Sequence, residues 1–187
     1  MIIYSSADVG DLDELVQLYL KVFSPYYVKL KFKITENQLR DVLYLYLLTD
    51  KDGFIVAKED SKIIGFMIAV TSISKVWQTL FLKQMHKSLL FIFSKRAPLI
   101  TPPYIYLWNL GHLISEGVDE DYRGKGIAKE MGKRGLNYLK SRNVKQALFE
   151  TIKGNAPIIN LYKCFDFKEL REFRSRNIDW VILSKTF

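Results

Sequence analysis

Apolar residues in the first half of the chain recur either every three or four positions or in short continuous runs. The first spacing is typical of amphipathic helices and the second of buried strands. The elements predicted from them are a strand at residues 2–4, helices at 11–23 and 39–48, and an antiparallel hairpin with strands at 54–58 and 62–70. Ser24-Pro25 is predicted to end the first helix, and Thr35 with Gln38 to cap the second.

The second half opens with a basic, aromatic-rich segment at about residues 74–97, which predicts a helical insertion ended by Pro98. The elements predicted after it are a strand within 104–118, a helix at 126–141, a strand at 145–151, a short helix at 157–164, and strands at 167–173 and 180–183. This order predicts one domain over residues 1–187, of the α/β (α+β) class, in which a mixed sheet carries helices on both faces.

Composition narrows the class of protein. A chain of 187 residues with 49% hydrophobic residues is an ordinary globular domain, which excludes disordered and low-complexity classes. The single cysteine, Cys164, excludes a disulfide scaffold and a cysteine-based zinc site. We expect a cytoplasmic protein, because the sequence shows no signal peptide and its apolar runs are far shorter than the roughly 20 residues that cross a bilayer.

The formal net charge of +8 indicates an affinity for anions. Nucleic acid, anionic lipid and a phosphorylated small molecule all satisfy that description. No DNA- or RNA-binding motif accompanies the charge, so the sequence does not favour a nucleic-acid partner.

The most specific stretch of the sequence runs from Val118 to Ala128, where a strand is followed by an acidic turn and a basic, glycine-containing loop. Gly124 and Gly126 allow backbone N–H groups to converge without obstruction by a Cβ, and the start of the next helix adds unpaired donors. Arg123 and the adjacent lysine add full positive charges. The pattern indicates a phosphate-binding loop, although an ordinary flexible approach to a helix has the same form.

A second motif follows some thirty residues later, with Asn155, Leu161, Tyr162 and Phe167 at its matching positions. Together the two stretches resemble the GNAT-type N-acetyltransferase superfamily. The acetyl-CoA loop of that family reads Gln/Arg-x-x-Gly-x-Gly/Ala. The residues that match it here are Arg123, Gly124, Lys125, Gly126, Ile127 and Ala128.

The chain departs from the family pattern at three positions. Glu120 stands where proline is common, Ile158 where alanine is common, and Asp166 where the family has glycine. We expect Asp166 to distort the turn after the short helix, because aspartate adopts a positive φ less readily than glycine.

The resemblance implies a mostly antiparallel sheet and an acetyltransferase that uses acetyl-CoA as co-substrate, with no metal. It implies that backbone groups of Gly117 and Val118 hold the pantetheine arm where their strand splays from its neighbour. Asn155 would contact the same arm, although it is equally placed to cap a helix. Tyr162 matches the position that often protonates the CoA thiolate, although packing alone would also explain it.

The general base is left open between His112 and Glu150, which match positions where some family members carry one. Alternation predicts that His112, Ile114 and Glu116 share one face of their strand. Glu116 is a third candidate, because a carboxylate is unusual in an otherwise apolar strand, although a residue that only lines the substrate cleft would have the same pattern. Each of these side chains has a purely structural alternative. Cys164 is not supported as a nucleophile, because it lies on the helix that carries Tyr162.

The acceptor is predicted only as a primary amine of a small molecule or a protein. The apolar, basic stretch at residues 77–93 is predicted to cover part of the acceptor cleft or to pack in a homodimer. The alternative is peripheral contact with an anionic membrane. Two rival functions also remain: a non-catalytic CoA-binding or regulatory domain, and a basic protein associated with membranes or nucleic acid.

Overall fold

A computed structural model describes residues 1–29, 33–83, 110–175 and 177–187. The strands in this part of the chain are β1 (Ile2–Ser6), β2 (Phe54–Glu59), β3 (Lys62–Val70), β4 (Gly111–Val118), β5 (Gln146–Ile152), β6 (Lys168–Ser175) and β7 (Ile178–Thr186). The helices are α1 (Leu12–Lys29), α2 (Glu36–Thr49), α3 (Ile73–Leu82), α4 (Ile127–Ser141) and α5 (Ala156–Lys163). The predicted class and element order are confirmed.

The strands form one sheet in the order β1-β2-β3-β4-β5-β7-β6. Neighbouring strands are antiparallel except β4 and β5, which are parallel. A parallel pair needs a crossover connection, and α4 supplies it between these two strands. The sheet is therefore mixed but mostly antiparallel.

Helices cover the two faces of the sheet and define its two apolar clusters. Leu15 of α1, Leu43 of α2 and Ile73 of α3 pack on one side, which we call the α1–α3 face. Met131 of α4 and Ile159 of α5 pack on the opposite side, which we call the α4/α5 face. Side chains of every central strand can therefore be assigned to one face or the other.

The predicted start of α2 is confirmed, whereas the predicted end of α1 is wrong. Thr35 and Gln38 form the predicted capping box at the start of α2. Pro25 does not end α1, which continues to Lys29. A proline removes one backbone hydrogen bond of a helix, and Pro25 lies at an exposed position in its last two turns, where that loss is tolerated.

Only the first part of the predicted insertion falls within the described residues. It is α3, whose start is capped by the Ser72 side chain, and its last residues Phe81 and Leu82 are 57% and 80% exposed. Residues 84–109 lie outside the described part of the chain, so membrane contact and dimerisation through residues 77–93 stay predictions.

A bulge in β4 overturns the predicted alternation of His112, Ile114 and Glu116. Leu113 pairs with Ala69 and Ser115 pairs with its neighbour Ile68, so Ile114 is an extra residue without a partner on β3. An extra residue reverses the faces of all residues that follow it. His112 therefore lies on the α1–α3 face, whereas Glu116 lies on the α4/α5 face.

The turn after α5 tolerates the aspartate that replaces glycine. Asp166 adopts a φ of +64°, and the turn still closes, with the Phe167 amide donating to the Tyr162 carbonyl at 3.2 Å. The expected distortion is therefore absent, and the cost is confined to the strain of a left-handed backbone at a residue with a Cβ.

Replacing Asp166 with glycine should stabilise the protein. Asp166→Gly relieves the strain and is expected to raise the free energy of unfolding by up to about 1 kcal/mol. The exposed ion pair that it removes, to Lys185 at 3.4 Å, contributes little. Urea unfolding measures the change. Asp166→Ala is the matched control and should destabilise, so equal effects of the two variants would contradict this account.

Candidate active site

The parallel strands β4 and β5 separate after a short paired stretch. Within the described residues they pair at three positions, from Gly111 with Ala147 to Leu113 with Phe149. Beyond that point β4 remains paired with β3 as far as Val118, and β5 remains paired with β7 as far as Ile152. The sheet therefore opens into a wedge, which we call the fork, whose narrow end is at Leu113 and Phe149.

Backbone groups of β4 face into the fork. The amide of Asp119 donates to the Ile64 carbonyl on β3 at 2.9 Å, so alternation turns the N–H and C=O of Val118 the other way, towards the gap with β5. Arg123 Nε donates to the Val118 carbonyl from that side at 3.3 Å. Gly117 is required by packing, because a Cβ there would lie 2.7 Å from the Phe66 ring.

The loop at the wide end of the fork presents a run of unused amides. Among the hydrogen bonds of the described residues, none uses the N–H groups from Gly124 to Lys129; the next amide, that of Glu130, donates to the Gly126 carbonyl and closes the first turn of α4. Gly124 and Gly126 have φ values of +78° and +77°, with open space where a Cβ would stand. No side chain caps α4. Such amides at a helix start form an anion site.

The charges around this loop favour the same ligand. The one buried acidic group beside it, Asp119, bonds Lys21 Nζ at 2.8 Å, and this bond holds the pKa of the carboxyl below its ordinary value. Lys62 and Lys125 both lie over the Tyr122 ring, 5.6 Å and 4.6 Å from its centroid. Asp119 is thus paired with Lys21 and, at 3.9 Å, with Lys62, and Lys125 adds a positive charge beside the open amides.

A tyrosine and a carboxyl meet on the α4/α5 face of the fork. The ring of Tyr162 is fully buried and stacks on Phe149 with a centroid distance of 4.0 Å. Its hydroxyl donates to Glu116 Oε2 at 3.0 Å. Burial raises the pKa of Tyr162 far above its ordinary range, and burial also raises the pKa of Glu116 to about 8. At neutral pH the pair therefore carries two dissociable protons.

A second carboxyl, that of Glu150, lies on the α1–α3 face, one residue beyond the last position at which β5 pairs with β4. Glu150 pairs with Ile182 of β7, and its buried Oε1 has no hydrogen-bond partner within the described residues. Burial raises its pKa to about 7. His112 lies on the same face and is 3% exposed, but it pairs with Leu148 before the strands separate. The two candidate bases thus share a face.

The remaining predicted residues divide between the site and its surroundings. Asn155 precedes α5 but makes no side-chain cap; its Nδ2 donates weakly to Thr151 Oγ1 at 3.4 Å. Cys164 is exposed beyond α5. The contact between Glu116 and Tyr162 was not predicted, because it joins residues 46 positions apart and depends on the bulge at Ile114.

Two kinds of feature are not found in the described part of the chain. It contains no cluster of three or more His, Cys, Asp or Glu side chains that could hold a metal ion. None of its helices combines the length and the hydropathy needed to span a bilayer.

The sequence was compared with models of known protein families. The model described as the acetyltransferase (GNAT) family matches residues 12–167, which include the fork, the loop and α5. The chain belongs to the acetyltransferase (GNAT) family. A search of the curated proteins found no significant match.

Solved structures with the GNAT fold resemble the whole chain. PH1933 from Pyrococcus horikoshii OT3 has a TM-score of 0.67 at 21% identity, covering 100% of this chain and 99% of its own. The ribosomal-protein-S18-alanine N-acetyltransferase from Escherichia coli has a TM-score of 0.62 at 15% identity, covering 100% and 94%. A chain of the NatC complex bound to Gag peptide and CoA has a TM-score of 0.65 at 15% identity, covering 100% and 98%. These likenesses show the fold.

The raised pKa of Glu116 should make stability depend on pH. The folded protein keeps a proton on Glu116 up to about pH 8, whereas the unfolded chain releases it near the ordinary value of 4.5. The free energy of unfolding therefore falls as pH rises between these values. Glu116→Gln removes this dependence. The free energy of unfolding of the variant, taken relative to that of the wild type, should therefore increase by about 2–3 kcal/mol from about pH 5.5 to about pH 7.5.

Urea unfolding curves at the two pH values measure the effect. Glu169→Gln, at an exposed carboxyl, is the matched control and should differ from the wild type equally at both. Glu150 is present in all three proteins, so its own titration cancels. An advantage of Glu116→Gln that stays constant with pH would contradict a buried, proton-bearing Glu116.

Proposed function

We propose that this protein transfers the acetyl group of acetyl-CoA to a primary amine of a small molecule or protein by direct attack. The observation that carries the proposal is the fork between β4 and β5, which leads directly into the loop of unused amides from Gly124 to Lys129. Membership of the GNAT family supports the reaction class.

The residues present fit acetyl-CoA. The amides from Gly124 to Lys129, with Arg123 and Lys125, form a cradle for a diphosphate. The Val118 amide, turned into the fork, is placed to donate to a carbonyl of the extended arm. Two glycines at positive φ explain why the cradle has no side chains that would fill it. Bound there, acetyl-CoA supplies an activated thioester carbonyl.

Glu150 is proposed as the general base. It lies at the narrow end of the fork, its Oε1 is unengaged by the described residues, and burial raises its pKa to about 7. A base with a pKa near the working pH combines a useful ionised fraction with a useful affinity for the proton. As the new C–N bond forms, Glu150 takes the proton that the amine nitrogen loses. His112 is the alternative base, set one pair behind the opening of the fork.

Tyr162 is proposed as the general acid on the opposite face of the sheet. When the C–S bond breaks, the Tyr162 hydroxyl gives its proton to the sulfur, and the protonated Glu116 carboxyl returns one to the tyrosine oxygen at 3.0 Å. The raised pKa of Glu116 supports this direction, because it keeps the carboxyl protonated at neutral pH. The proposed base and acid thus act from opposite faces of one sheet. Both are close to Phe149: Glu150 is the next residue along β5, and the Tyr162 ring stacks on the Phe149 ring.

Ligand binding tests the cradle separately from the chemistry. Millimolar CoA should raise the melting temperature of the wild type, because a ligand that binds only the folded state stabilises it. Gly126→Ala should abolish most of this shift, since a Cβ at φ +77° strains the loop. Gly154→Ala is the control, at a glycine with open space and no positive φ. No shift in the wild type would contradict the proposal.

Release of CoA thiol in the presence of an amine panel tests the reaction. Glu150→Gln should lower kcat by roughly 10²–10⁴-fold and remove an ionisation near pH 7 from the pH profile, because the active form is the carboxylate. Tyr162→Phe should also lower kcat, and Glu116→Gln should add little to it, since the two act in series. Glu169→Gln is the matched surface control.

Each outcome of these assays has a meaning. An unchanged rate in Glu150→Gln with a large loss in His112→Asn would move the base to His112. A CoA shift without thiol release from any amine would favour a non-catalytic CoA-binding domain instead.

A further inference from the structure

Two buried polar atoms of opposite hydrogen-bonding character lie on the α1–α3 face near the fork. Glu150 Oε1 belongs to β5 and Trp180 Nε1 to β7, and neither atom has a hydrogen-bond partner within the described residues. An unpaired buried polar group costs about 1–3 kcal/mol. Two of them at one place therefore call for a functional explanation.

The register of the sheet makes these side chains diagonal neighbours. Glu150 pairs with Ile182, and Trp180 pairs with Ile152, two residues further along β5. Diagonal neighbours on one face have Cβ atoms roughly 7–8 Å apart or somewhat less, within reach of long side chains. They do not bond each other, so an indole N–H donor and a carboxylate acceptor stand side by side on one face of the sheet, each without a partner among the described residues.

The indole is held in place from the outer strand. Phe173 of β6 pairs with Trp180, and their rings stack with a centroid distance of 6.2 Å and an interplanar angle of 13°. The opposite face at this point is occupied by Val181 and Leu183 beneath α5. Trp180 therefore presents its indole, stacked on Phe173, on the face where Glu150 would meet the acceptor.

We propose that Trp180 orients the acceptor, and that the acceptor is a primary amine with a carbonyl oxygen a few bonds from its nitrogen, as in an α-amino amide. The amine N–H donates to Glu150 while the oxygen accepts from the indole N–H. This assignment rests on the proposed function. A plain alkylamine fills only half of the arrangement and leaves the buried indole N–H without a partner, which disfavours it.

The test compares two isosteric probes, glycinamide and isobutylamine, with and without the indole donor. Trp180→Phe keeps an aromatic ring against Phe173 but removes the N–H. It should lower kcat/KM for glycinamide about tenfold, the effect of losing one buried hydrogen bond, and leave isobutylamine within about twofold. Each probe is compared between enzymes, so the different basicity of the two amines cancels.

Trp77→Phe is the matched control, the same chemical change on α3 in the apolar cluster of the α1–α3 face. It should leave the ratio of the two kcat/KM values unchanged. Should Trp180→Phe fail to fold, the test is made by thermal melting of the wild type in saturating CoA, which has no acetyl group to transfer. Glycinamide should then raise its melting temperature more than isobutylamine does.

The results separate this inference from the proposed function. Thiol release with both amines and equal losses in Trp180→Phe would overturn the role of Trp180 and leave the acetyltransferase proposal intact. In the wild-type test, equal shifts with the two amines would overturn it as well. The absence of thiol release with any amine, despite CoA binding, would overturn the acetyltransferase proposal and with it this one.

Discussion

The separation of β4 from β5 is the constraint on which the rest of the site depends. Each strand keeps its other partner, β3 or β7, so neither can follow the other beyond Leu113 and Phe149. Two consequences follow from this one geometry. Backbone groups of β4 that a continuous sheet would pair are turned into a gap, and side chains on both faces meet at its narrow end.

The fold and the cofactor loop could be predicted from the sequence because both leave local patterns. Helix and strand spacing predicted the element order, and the glycines at 124 and 126 mark a backbone that must adopt positive φ. Pro25 failed as a stop signal, because it stands at an exposed position in the last two turns of α1, where the loss of one backbone hydrogen bond did not end the helix. Asp166 shows the same tolerance in a turn.

The catalytic arrangement could be predicted only in part, for a physical reason. Tyr162, Glu150 and His112 were found through the family resemblance, but the contact of Tyr162 with Glu116 depends on the bulge at Ile114, which leaves no mark in the sequence. That bulge moves Glu116 away from the two candidate bases and places it against Tyr162. Trp180 is missed for a similar reason, because it reaches the site only through the pairing of β7 with β5.

The two halves of the proposed site differ in the groups that would recognise a ligand. The loop side uses main-chain amides, whose geometry depends on glycine and on the start of α4, so few sequences satisfy it. The α1–α3 side uses side chains from β5 and β7, each of which can change without disturbing the amides. In the proposed assignment, such a division lets one cofactor site serve many acceptors, because the residues proposed to recognise the acceptor, Glu150 and Trp180, are not constrained by the cofactor loop. It also explains why sequence motifs point to acetyl-CoA while the acceptor must be inferred from unpaired atoms in the structure.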